Sequence, residues 1–110
     1  MNYDIEKTLI FSQAIDIALN YICDINKDVV IYGSNLYQSH PAKDSYCLEI
    51  RINRRYENIV KKYIKDILDL ECNGKRELKY GIDMLLYSLT KAQLINLEVL
   101  LRIKGILYGK

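Results

Sequence analysis

Residues 45–53 constrain the fold most, because apolar and polar side chains alternate without a break in Ser45-Tyr46-Cys47-Leu48-Glu49-Ile50-Arg51-Ile52-Asn53. Successive side chains on a strand point to opposite faces, so the pattern predicts a strand with one packed face and one polar face. Tyr46, Leu48, Ile50 and Ile52 would meet a core, while Ser45, Cys47, Glu49, Arg51 and Asn53 would not. An apolar sheet face must be covered, and three segments have the period of helices. From about Tyr3 to Ile25, Leu9, Ile10, Phe11, Ala14, Ile15, Ile17, Ala18, Tyr21 and Ile22 recur at three and four. This face is wider than a one-sided helix needs, which fits deep burial or, alternatively, a partner chain against it. Tyr56, Ile59, Val60, Tyr63, Ile64, Ile67 and Leu68 predict a second amphipathic helix, with Lys61, Lys62, Lys65 and Asp66 outside and an end near Asn73-Gly74. Thr90-Lys91-Ala92-Gln93 has the capping-box pattern and opens a third, with Leu94, Leu97, Leu100, Leu101 and Ile103 on its apolar side and Gly105 at its end.

Two further segments are read as strands. Asp28-Val29-Val30-Ile31-Tyr32 is β-branched and aromatic and closes at Gly33. Ile82-Asp83-Met84-Leu85-Leu86-Tyr87-Ser88 is an apolar run of strand length behind Gly81, although its period is ambiguous. Residues 33–45, which hold the sole proline, Pro41, and the sole histidine, His40, are expected to form a long connection. Ile106-Leu107-Tyr108 would be a final extended piece. The expected fold is α/β: a small mixed sheet with helices against it, in the order helix, strand, short helix or loop, strand, helix, strand, helix, as one domain over residues 1–110.

Composition narrows the functions. Half of the 110 residues are hydrophobic and 27% are charged, enough for one ordinary core without staples. Sixteen basic against fourteen acidic residues leave +2, too slight a surplus for nucleic-acid or anionic-membrane binding on charge alone. Cys23, Cys47 and Cys72 are odd in number and widely spaced, which fits a reduced cytoplasmic protein. Neither a signal peptide nor a membrane span is legible.

The chemistry-bearing constellation begins at Gly33. Glycine lets backbone approach a triphosphate closely, and the amides of Gly33, Ser34 and Asn35, at a helix start, could donate to phosphate oxygens. Carboxylates two apart on a strand share a face and, with a third from a neighbouring strand, could hold Mg²⁺. In this chain Cys47 and Glu49 stand on the polar face of residues 45–53, twelve residues separate Ser34 from Cys47, and Asp83 lies on the expected third strand. The register that would place Tyr46 and Leu48 on the polar face turns Glu49 and Arg51 inward, at a high burial cost.

Val30-Ile31-Tyr32-Gly33-Ser34, the strand after it and Ile82-Asp83-Met84-Leu85-Leu86-Tyr87 together resemble the minimal nucleotidyltransferases of the DNA polymerase β-like superfamily. Ser34-Asn35-Leu36-Tyr37 is similar to the start of the family's helix, and Gly105-Ile106-Leu107-Tyr108-Gly109 to its usual ending. The resemblance implies transfer of a nucleoside monophosphate from an NTP, ATP in the first instance, to an acceptor hydroxyl. Gly33, Ser34 and Asn35 would hold the phosphates, Glu49 and Asp83 would hold Mg²⁺, and Cys47 stands where the family has its first acid, with Asp44 as a substitute from the loop. Small members of the family serve as antitoxins that nucleotidylate a toxin of HEPN fold, so a protein partner is expected. The alternative is a degenerate domain that binds a partner as antitoxin, immunity protein or inhibitor without catalysis. A homo-oligomer is open on either reading. Lys43, Arg51, Arg54 and Arg55 could rim a phosphate site or face an acidic partner, while Tyr56 and Tyr63 have the spacing of packing residues.

Overall fold

The structure, a computed structural model, describes residues 5–40 and 45–103. Its elements are α1 (Ile5–Ile25), β1 (Ile31–His40), β2 (Ser45–Asn53), a 3₁₀ turn (Arg54–Tyr56), α2 (Glu57–Leu68), β3 (Gly74–Glu77), β4 (Ile82–Thr90) and α3 (Lys91–Ile103). The four strands form one sheet in the order β1-β2-β4-β3, and every neighbouring pair is antiparallel. The α/β class is therefore the one read from the sequence, but the expected mixed sheet is antiparallel throughout.

Residues 45–53 behave as their pattern dictates. Tyr46, Leu48, Ile50 and Ile52 are all buried, at 0–1% exposure. Directly opposite residues of an antiparallel pair share a face, and Leu85, Tyr87 and Leu89 of β4 lie opposite Ile50, Leu48 and Tyr46. Leu36 of β1 completes the row opposite Leu48. Phe11, Ile15, Leu19 and Ile22 of α1, Val60, Ile64 and Leu68 of α2, and Leu94 and Leu97 of α3 pack on this face in one core. Tyr56 and Tyr63 pack against its rim. The other face of the sheet carries Asn35, Tyr37, Cys47, Glu49, Arg51, Ser88 and Arg76.

Two segments differ from the sequence reading. Residues 34–40, expected as a connection or helix start, continue β1, which is ten residues long and forms a hairpin with β2. Gly, Ser, Asn and Gln in this stretch have turn preferences, and the ladder with β2 overrides them. Bulges interrupt the pairing between Ile31 and Gly33 and between Gln38 and His40. Gly33, at φ 157, takes a conformation there that other residues rarely adopt. Secondly, α2 ends at Leu68, where Asp69 enters the left-handed region and its N–H bonds the Lys65 carbonyl. The chain then supplies β3, which the sequence reading did not foresee, and a tight turn with Tyr80 and Gly81 both at positive φ. Ile82–Thr90 is a strand, as read from the sequence, which settles its ambiguous period.

The capping box is formed in both directions: Thr90 N–H donates to Gln93 Oε1 at 2.8 Å and Gln93 N–H to Thr90 Oγ1 at 3.2 Å. Pro41, Lys43, Asp44, Gly105 and the 106–108 tail lie outside the described residues.

If the sheet is packed on one side only, adjacent residues should differ sharply in worth. Ile50→Ala should cost about 3 kcal/mol of unfolding free energy, and Asn35→Ala on the opposite face less than about 0.5 kcal/mol. Urea denaturation of the two variants measures both.

Candidate functional site

The strand register divides the expected site residues between the two faces of the sheet. Asn35 lies opposite Glu49, Tyr37 opposite Cys47 and Gly33 opposite Arg51, so Gly33, Asn35, Cys47 and Glu49 share the face without helices. Ser34 lies opposite Ile50 and Asp83 opposite Ile52, both on the helix-covered face. Glu49 and Asp83, the expected Mg²⁺ ligands, are thus separated by the thickness of the sheet. The expected helix start at Ser34-Asn35 is also absent, because Gly33, Ser34 and Asn35 are strand residues and present no helix N-terminus to a phosphate. These residues do not fit the two-carboxylate Mg²⁺ site that the resemblance implied. Among the described residues, no group of three or more His, Cys, Asp or Glu side chains is placed to hold a metal ion.

What the open face does assemble is a shallow concavity of about 260 Å³ lined by Tyr32, Gly33, Ser34, Asn35, Glu49 and Arg51. Tyr37 beside it donates its hydroxyl to Glu49 Oε2 at 2.9 Å. Contacts with the Cys47 side chain and with Glu49 push the Tyr37 phenol above its ordinary range, so it keeps its proton and occupies one of the Glu49 oxygens. Through the sheet, the Ser34 hydroxyl donates to Asp16 of α1. That bond ties α1 to β1 and engages the hydroxyl expected to meet a phosphate.

Asp83 has a different chemistry from the one expected. It is fully buried, yet Arg54 Nε donates to its Oδ1 at 2.8 Å and Lys75 Nζ lies 3.7 Å from Oδ2, which makes no hydrogen bond. Lys75 also pairs with Glu57 at 3.1 Å, and Glu57 with Lys61 at 2.8 Å. The network joins β4, β3, the 3₁₀ turn and the first turn of α2. An ionised carboxylate out of water must be compensated, and two cations do so here. Asp83 therefore acts as a clamp between elements.

The basic side chains do not form one rim. Arg54 is turned to Asp83 and the Leu78 carbonyl, Arg55 lies 5.8 Å from the centre of the Tyr56 ring, and Arg51 is on the open face. The sequence reading missed Tyr32 and Tyr37 as members of the open-face cluster, although the alternation of Leu36 with Asn35 and Tyr37 was available as a signal. It also missed the partners of Asp83, which come together through the pairing of β4 with β2, for Arg54, and with β3, for Lys75.

Both α1 and α3 carry a second apolar row in solvent. Ile17, Tyr21 and Ile25 of α1 are 54%, 54% and 49% exposed, and Ile95, Val99 and Ile103 of α3 are 46%, 53% and 77% exposed. Each set is spaced by four residues, so it forms one stripe along its helix. Between α3 and the end of α2 lies a groove of about 510 Å³, lined by Leu68, Leu70, Leu97, Val99, Leu100 and Ile103 among others. Comparison with protein-family models, with curated proteins and with solved structures returns no match.

The clamp predicts a pH dependence. Lys61 first, then Lys75, hold the Glu57 carboxyl down at about 2, from an ordinary 4.5. Its ionised form therefore contributes stability in full above pH 4.5, and that contribution is lost as the pH falls from 4.5 towards 2. Screening at a partly exposed site leaves on the order of 1 kcal/mol. Glu57→Gln should be less stable at pH 7 and should lose less on acidification, as read from thermal melts between those limits.

Proposed function

We propose that this protein works by binding another protein through an exposed apolar helix face, in the manner of an antitoxin, immunity protein or inhibitor. The observation that carries this reading is the stripe Ile17, Tyr21 and Ile25 on α1. Large apolar side chains half in water and aligned along one helix mark a contact surface more readily than singly scattered ones do. The stripe lies roughly 140° around the helix from Asp16, which is bonded to Ser34 on the sheet, so it looks away from β1. Asp24, also exposed, borders it. A partner whose contact surface is apolar and edged by Lys or Arg is the complementary one.

The division of Glu49 and Asp83 between two faces supports contact over catalysis. Transfer of a nucleoside monophosphate needs carboxylates converging on the same metal ions, and here one is held by Tyr37 on the open face and the other by Arg54 beneath the helices. A cytoplasmic location is part of this proposal, supported by three free thiols. Among the described residues no helix is long and apolar enough to cross a membrane.

Calorimetric titration with ATP and Mg²⁺ tests the choice. The contact reading expects no heat that depends on Glu49, and it expects the natural partner to co-purify with the wild type and with Glu49→Ala but not with Ile17→Ser/Tyr21→Ser. Mg²⁺-dependent ATP binding that disappears in Glu49→Ala would restore the nucleotidyltransferase reading.

A further inference from the structure

We infer that β1 pairs with β1 of a second copy of this chain, joining two four-stranded sheets into one of eight strands. The inference concerns the sheet edge and does not depend on the α1 stripe. The sheet has two edges, β1 and β3, and they are built in opposite ways. β3 is four residues long, Gly74-Lys75-Arg76-Glu77, three of them charged. Shortness and charge are two of the devices by which sheets keep an edge from pairing; bulges, which β1 has near its two ends, are another. Two copies of β3 brought together would also set Lys75 and Arg76 near their own kind.

β1 is neither short nor charged. It runs for ten residues, Ile31-Tyr32-Gly33-Ser34-Asn35-Leu36-Tyr37-Gln38-Ser39-His40, without a Lys, Arg, Asp, Glu or Pro. Among the described residues only β2 pairs with it, so its outer row of N–H and C=O groups has no strand partner. At about 3.4 Å per residue the edge is roughly 34 Å long. The bulges at Tyr32 and Ser39 leave a regular stretch, 33–38, in the middle. Self-pairing meets no like charges on the strand itself.

Symmetry supplies the rest of the geometry. Identical edges pair antiparallel about a two-fold axis perpendicular to the sheet, which makes the contact isologous and closed. Opposite residues then share a face, so the axis passes through a residue position and not between two. Both copies consequently carry their helices on the same side, and the open faces with Tyr37, Glu49 and Arg51 become continuous. Backbone pairing along this strand with its flanking side chains covers on the order of 1,000 Å² in total, at the small end of specific interfaces.

Sedimentation velocity on the full chain from about 1 μM to about 500 μM tests this. The expected result is a monomer-dimer equilibrium that Asn35→Lys/Gln38→Lys weakens by about tenfold or more and that Arg76→Glu, at the β3 edge, leaves unchanged. Isotope-filtered NOEs between labelled and unlabelled wild-type chains should connect β1 to β1, a readout that holds even if the double variant fails to fold. Monomer at every concentration would overturn the inference. So would a dimer without β1-β1 NOEs, or one dispersed by Tyr21→Lys on α1 and untouched by the charges on β1.

Discussion

The pairing of Ile52 with Asp83 is the constraint on which the rest of the structure depends. Once those two residues are opposite each other, every second residue along β2 and β4 is assigned to a face. Tyr46, Leu48, Ile50, Leu85, Tyr87 and Leu89 go under the helices, and Cys47, Glu49, Arg51, Leu86 and Ser88 go to the other side. A slip of one residue would exchange the two sets and bury Glu49 and Arg51 in the core, at a cost the fold could not meet. One buried face and one polar face follow, and so does the separation of the two carboxylates.

That register also places an acid in the core, where it is tolerable only because of what surrounds it. Arg54 reaches Asp83 from the turn after β2, and Lys75 from β3 bridges it to Glu57 at the start of α2. Removing a cation would strand a buried charge, which is more damaging than the net worth of the pair suggests. The interaction therefore specifies how the β3-β4 hairpin meets α2 more than it adds to stability. By contrast, Glu49 is half-buried on the open face and bonded to Tyr37. The two carboxylates have unrelated partners and unrelated roles.

Much of this was legible in the chain. The alternation of residues 45–53, the wide apolar face of the first helix and the Thr90–Gln93 cap each gave the element found, because each is a local pattern whose physics is local. The breadth of α1, read as deep burial or a partner surface, divides into a buried row with Phe11, Ile15 and Ile22 and a solvent-facing row with Ile17, Tyr21 and Ile25. What failed was whatever depends on pairing between distant segments. Ser34 to Gln38 carry turn formers and become a strand only because β2 lies alongside. The Gly-Lys-Arg-Glu of β3 has no apolar alternation and is a strand only because β4 is there. Likewise, the convergence of Glu49 and Asp83 was what the resemblance implied, and membership of neighbouring strands alone does not say which face a residue takes.

The most direct test of this account is the cross-strand NOE pattern of the sheet in solution. The account predicts backbone contacts between Asp83 and Ile52, between Glu49 and Leu86 and between Asn35 and Glu49, with the Asp83 side chain near Arg54 and the Glu49 side chain near the Tyr37 ring. A helical contact pattern over residues 34–38, or side-chain contacts that place Asp83 and Glu49 on one face, would contradict it.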